Sequence, residues 1–257
     1  IPIYRSICYK YGCSSLGEIF GKLFSKRVSV CVSVMIFVSF ASAVSAQTVI
    51  VSNLLQSLLG IRSEVTMTVT IAAMILLALQ GGMKGLARIN RVHVVVLSVS
   101  VVAIFIAVMT SVGWDFGQVY RALEPQGTFK LIGGSRSNSY IIGTLAIQPF
   151  VTVVNALSIS AAIGAKDAKT AQKAQSIMPI FAIFFFGLVI IAACCGKFLW
   201  PDMDPGTAWY TIAGHYGPAM AALASIGVVT AHGAGLFNLA VLGGPVALAS
   251  FMPLLTR

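Results

Sequence analysis

Charge is the scarcest property of this chain. Only 9% of its 257 residues are Asp, Glu, Lys or Arg, where a soluble domain carries about 25%. Acidic residues are scarcer still: 7 Asp and Glu stand against 17 Lys and Arg, a formal net charge of +10. The scarcity excludes an ordinary soluble globular fold. A nucleic-acid surface is excluded as well, because no stretch combines the basic residues with stacking aromatics. The five cysteines have no framework spacing, so no structural disulfide is expected. Cys194-Cys195 reads as two small apolar side chains in a helix rather than a redox or metal pair. The sequence shows no nucleophile–base pair, metal cluster or phosphate loop, which argues against an enzyme.

What fills the chain instead is apolar sequence, 58% hydrophobic residues. Crossing the ~30 Å hydrocarbon core of a bilayer takes about 20 helical residues. Six segments fit that need: 28–59, 65–82, 92–112, 140–163, 177–196 and 219–242. Gly243-Gly-Pro245 then breaks the last helix, and 243–257 reads as the start of a seventh. The expected fold is all-α, a polytopic transmembrane helical bundle forming one transporter-type domain. Beginning at Ile1 and stopping within an apolar stretch, the chain reads as a piece of a longer protein.

The linker Ala165-Lys-Asp-Ala-Lys-Thr-Ala-Gln-Lys-Ala174 sets the orientation. It holds Lys166, Lys169 and Lys173 against Asp167 alone, and cytoplasmic loops are enriched in Lys and Arg. With that linker inside, residues 1–27 (Arg5, Lys10, Lys22, Lys26, Arg27) and the loop 83–91 (Lys84, Arg88, Arg91) fall inside too. The segments 1–27, 83–91 and 164–176 are therefore expected to be cytoplasmic in a multi-pass protein of the cell membrane. Ser15-Leu-Gly-Glu18 matches a capping box. Leu16, Ile19, Phe20, Leu23 and Phe24 then recur at helical spacing, predicting an amphipathic helix lying in the cytoplasmic interface. Gly81-Gly82 opens a predicted inner loop. The long outer loop 113–139 is expected to be functional or to carry short helices. Asp202 and Asp204 supply too few oxygens for calcium and read as a turn.

Polar side chains inside apolar segments are the candidate site. Helix packing accounts for most of the serines of 28–59, but Gln47 is large and near mid-span, and facing a solute path is its functional reading. Gln148 and Asn155, seven residues apart, share one helix face, and amides in hydrocarbon need a partner. His232 lies deep in 219–242, where an ionisable group is a functional candidate by default; the bland alternative is a neutral histidine bonded to a neighbouring helix. His93, near the predicted interface, reads as hydrated or backbone-bonded.

Three local patterns carry a resemblance to a known family. Ser15-Leu-Gly-Glu-Ile-Phe-Gly-Lys-Leu-Phe24 is similar to a Thr-Leu-Pro-Glu-Tyr-Leu segment that precedes a long third core helix. Gly81-Gly-Met-Lys-Gly-Leu-Ala87 is similar to a Gly-Gly-Leu-Lys-Ala-Val turn between core helices four and five. Ala165-Lys-Asp-Ala-Lys-Thr-Ala171 is similar to an Ala-Ala-Lys-Asp-x-x-x-Ala linker between helices six and seven. In this order, with these intervening spans, they resemble the sodium:solute symporter family over nearly the whole chain. The resemblance implies a five-plus-five inverted-repeat core with its binding site at mid-membrane. This chain would then supply core helices three to eight and the start of a ninth.

It also implies ion-coupled symport of a small polar solute by alternating access. Sodium would be the coupling ion, with no other cofactor. Thr230 is the surviving ion ligand, while Gln47, Gln148, Asn155 and His232 line the solute path. The departures are specific. Val229 stands where a second hydroxyl ligand is usual, and Asn90 stands where a carboxylate is usual. Proton coupling through His232, an uncoupled carrier, and a transporter-like solute sensor are the alternatives. The expected partners are a small polar solute and the lipid bilayer, and not nucleic acid.

Overall fold

Helices supply all the regular structure among the described residues of the computed structural model, which are 2–13, 16–130, 137–154, 159, 162 and 164–238. In chain order they are α1 (Pro2–Tyr11), α2 (Leu16–Leu23), α3 (Lys26–Leu59), α4 (Ser63–Ser111) and α5 (Phe116–Leu123). A 3₁₀ turn follows at Glu124–Gln126, then α6 (Asn138–Val154), α7 (Ala168–Leu199), α8 (Ala208–His215) and α9 (Pro218–Asn238). Three stretches, Lys26–Gln56, Ala87–Ser111 and Ala168–Leu199, are long and apolar enough to cross a membrane. They coincide with the expected segments 28–59, 92–112 and 177–196 and mark a membrane protein. Asn138–Ile147 and Pro218–Gly233 are shorter apolar helices, lying in the expected segments 140–163 and 219–242.

The boundaries of α3 follow from its flanking residues. Ser25, in extended conformation, caps the first turn by accepting the Val28 amide at 3.4 Å. Gly60 ends the helix at φ 67 and donates its N–H to Gln56 O, a left-handed cap that glycine adopts without strain. Inside the helix, Ser42, Ser45 and Thr48 donate to the carbonyls of Val38, Ala41 and Val44. These hydroxyls are thus satisfied without leaving the apolar stretch.

The loop expected at 83–91 is a correction. Residues 63–111 form one uninterrupted helix, α4, of 49 residues, so the Gly81-Gly82 pair does not end it. Each glycine costs about 1 kcal/mol against Ala in a helix interior. Met83, Lys84, Leu86, Ala87 and Arg88 are good helix formers, and no proline follows to force a stop. The pair therefore weakens the helix without terminating it.

Contacts gather the chain into two compact units. The first comprises residues 1–93, 153–177 and 229–257. There Leu16 and Ile19 of α2 are buried with Cys8, Cys13, Ile36 and Ile159. Ser29 of α3 donates to Gly17 O at 2.8 Å, and a Cβ at Gly21 would lie 3.2 Å from Ser29. The amphipathic helix expected at 16–24 thus exists, but its buried apolar residues pack within the protein. Close approach at Gly21 lets α3 cover them, while Leu23 and Phe24 stay exposed. Burial also pushes the Cys8 thiol up to about 11. Ser15, the expected cap, lies outside the described residues.

In the same unit, Arg5 of α1 reaches the 164–176 linker. Its Nε and Nη2 both donate to Ala165 O at 3.2 Å, and Nη2 also donates to Lys166 O at 2.9 Å. Two residues on, Asp167 accepts the Thr170 amide at 2.6 Å and caps α7. The second half of this linker is therefore already helical.

The second unit comprises residues 94–152 and 178–228. Ile104 and Val108 of α4, Val119 and Leu123 of α5, Cys195 of α7 and Ile212 of α8 form its buried core. The long segment 113–139 does carry a short helix, α5, capped by Asp115, which accepts the Gln118 amide. Trp200 stacks on His215 with centroids 4.0 Å apart, and Ser111 and Tyr216 share a 2.7 Å hydrogen bond. Asp204 accepts the Gly206 amide at 3.0 Å, closing the turn expected at 201–206. On α7, Ile183 and Phe184 are 73% and 72% exposed, as lipid contact requires. All five cysteines are free thiols.

Candidate functional site

Gln47 lies in the middle of α3 and His232 in the last third of α9, and the two are hydrogen-bonded through Gln47 Oε1 and His232 Nδ1. An amide in hydrocarbon without a partner costs roughly 2–7 kcal/mol, so this bond is what makes Gln47 tolerable in an apolar helix. With the amide oxygen as acceptor, Nδ1 carries the hydrogen. Nε2 of a neutral ring is then an open acceptor, and the NH2 group of Gln47 keeps two donors. The pair therefore offers donors and an acceptor at one place.

The small residues of α9 permit this approach. Gly235 lies three residues beyond His232, on the same helix face. A Cβ at Gly235 would sit 3.5 Å from Gln47 Cδ and 3.6 Å from Oε1, so the Gln47 side chain lies against bare backbone. A large side chain at 235 would occupy the space the amide uses.

A third polar group belongs to the neighbourhood. His93 of α4 is half-buried and lies within electrostatic reach of His232. Its Nδ1 is buried without a hydrogen-bond partner. The sequence suggested a hydrated or backbone-bonded ring because the residue stands near the predicted interface, and the buried Nδ1 without a partner corrects that reading. The signal that would have found it is the rarity of histidine, 3 in the whole chain.

The other expected site residues fare differently. Thr230 is half-buried on α9. Two residues before His232, it stands about 200° away round the helix at 3.6 residues per turn. The backbone of Gln148 lies in α6, but its side chain is outside the described residues, and Asn155 lies outside them altogether. The structure thus brings together Gln47 and His232 of the expected set. Among the described residues, no group of three or more His, Cys, Asp or Glu side chains is placed to hold a metal ion.

Comparison with family models, with curated proteins and with solved structures returns no match.

Proposed function

We propose that the chain is the helical core of a secondary active transporter of the cell membrane, moving a small polar solute by alternating access, with sodium as the coupling ion. The observation that carries this reading is the Gln47–His232 bond, two large polar side chains meeting from helices α3 and α9 within apolar segments. Polar groups are costly at that depth and mark solute or ion paths. The ordered likeness of three short motifs to the sodium:solute symporter family supports it further, as does the basic linker with Lys166, Lys169 and Lys173 beside the apolar α7. In that reading Thr230 is an ion ligand, Gln47, Gln148, Asn155 and His232 face the solute, and the protein is a carrier rather than an enzyme.

The test is solute accumulation by the full-length protein in vesicles under an imposed sodium gradient. Accumulation that collapses when the gradient is dissipated is the expected result. No accumulation under any cation gradient overturns the reading. A second reading keeps the carrier and changes the ion to a proton. It is favoured by His232, a titratable group held in an apolar segment by Gln47. Uptake that follows sodium and ignores pH rejects it.

A further inference from the structure

We propose that α1, the start of α3 and the start of α7 form one basic surface that binds the anionic phospholipids of the leaflet these two long helices enter. The inference rests on α3 and α7 crossing a membrane and not on the transporter reading.

Position is the first ground. Lys26–Gln56 and Ala168–Leu199 are two of the stretches fit to cross a membrane, and both carry cations at their beginning. Lys26 and Arg27 open the first, and Lys169 and Lys173 lie in the first two turns of the second. The structure ties the two beginnings together. Ser29 of α3 donates to Gly17 O of α2, and Cys8, Leu16 and Ile19 share a buried core with Ile36 of α3. Arg5 of α1 in turn holds the carbonyls of Ala165 and Lys166. Both helix starts belong to one compact unit and so face the same leaflet.

Charge is the second ground. Residues 1–27 and 164–177 hold eight Lys and Arg against Glu18 and Asp167 alone. The Asp167 carboxylate is already engaged by the Thr170 amide. Lys10, Lys26, Arg27, Lys166, Lys169 and Lys173 are exposed, and among the described residues none of them makes a salt bridge. Arg62 and Arg121, by contrast, are paired with Glu64 and Asp115 at 3.5 and 3.8 Å. Like charges gathered on one surface repel one another, and anions from outside relieve that repulsion.

Apolar exposure decides what those anions belong to. Tyr9, next to Lys10, is 87% exposed, Ile3 is exposed on the same helix, and Leu23 and Phe24 are exposed between Lys22 and Lys26. A nucleic acid or an acidic protein would match the lysines and leave these side chains in water. The headgroup region of a bilayer offers phosphates to the lysines and acyl carbon to the apolar groups, and the two attractions add.

The experiment uses the full-length protein in nanodiscs of phosphatidylcholine, or of a two-to-one mixture of phosphatidylcholine and phosphatidylglycerol. Lysines are acetylated with a water-soluble succinimidyl ester, and the rate at each is read by mass spectrometry. Lys10, Lys169 and Lys173 should react about threefold slower in the mixed discs. Lys130 and Lys197, away from this surface, should react equally in both. In about 1 M salt, where the screening length falls to about 3 Å, the difference should vanish. Lys166→Gln, Lys169→Gln and Lys173→Gln combined should cut the preference for spin-labelled phosphatidylglycerol over phosphatidylcholine about threefold. The acetylation is done on the unsubstituted protein, so the surface is tested even if that variant does not fold. Equal rates in the two discs, or equal slowing of Lys130 and Lys197, overturns the inference. So does an unchanged preference in the folded triple variant. The same protection from inorganic phosphate in pure phosphatidylcholine discs assigns the surface to a soluble anion and overturns the lipid partner.

Discussion

A methyl group at Gly196 has nowhere to go. Built on the α7 backbone, it would lie 2.7 Å from Ile212 Cγ1 and closer still to Cδ1, and Ile212 is fully buried. Overpacking of this kind costs about 1–3 kcal/mol. Gly196→Ala should therefore lower the thermal unfolding midpoint in detergent. Ile212→Val, which removes the atom in closest conflict, should recover part of the loss when combined with it. A midpoint equal to the parent's would show that Ile212 can move aside. Gly235 makes the opposite case, since its nearest neighbour would be an ordinary 3.5 Å contact with a flexible amide. Neither contrast is visible in the sequence, where both are glycines in apolar helices. Gln47 and His232 were legible one at a time, as polar side chains in apolar segments. Their pairing was not, because helical periodicity says which face a residue occupies but not which distant helix covers it.

At the scale of elements, the start of α7 gathers two interactions that act on neighbouring residues. Arg5 binds the carbonyls of Ala165 and Lys166, and Asp167 caps the helix that follows. The Thr170 amide that Asp167 accepts, aided by the nearby Arg5 charge, holds its carboxyl below the usual carboxylate range. A depressed folded value means that the stabilisation is present above the ordinary Asp value, about 3.9. It is lost as the pH falls through the lower folded value. Protection of the amides of residues 168–171, taken relative to their intrinsic exchange rates, should therefore be present at neutral pH and fall as the Asp167 carboxyl is protonated below the ordinary Asp value, and Asp167→Ala should abolish that pH step. Arg5→Ala should expose Lys166 and Lys169 to faster trypsin cleavage without moving the step to neutral pH. Equal cleavage in parent and variant would reduce the Arg5 contact to an incidental one. The sequence marked this linker as basic and inner but showed nothing of the clamp, since Arg5 and Ala165 are 160 residues apart. The continuous α4 was missed for a different reason. Gly81-Gly82 looks like punctuation, but glycine only weakens a helix interior, and the good helix formers that follow carry the helix on.

For the molecule as a whole, composition was the reliable guide. An all-helical membrane protein follows from a chain that is 58% hydrophobic and 9% charged. Of the six segments that the apolar lengths marked, three coincide with stretches long and apolar enough to span a bilayer among the described residues. The sidedness of the loops makes a prediction on this scale. Cysteines introduced at Lys166 and at Asp202 of the full-length protein should differ in labelling by a membrane-impermeant maleimide. Asp202→Cys should react in intact cells, and Lys166→Cys only after permeabilisation. The reverse pattern would invert the orientation, and equal labelling would remove the span between them. The hydroxyl cluster of α3 and α4 also bears on the order in which the protein assembles. Ser52 bonds Thr66 at 2.6 Å and Ser63 at 3.0 Å, partners only 14 and 11 residues away. Gln47 must wait for a partner 185 residues downstream. The first two long helices can thus join as soon as both leave the ribosome. The amide beside that junction keeps its vacancy until α9, 185 residues further along the chain, has been made.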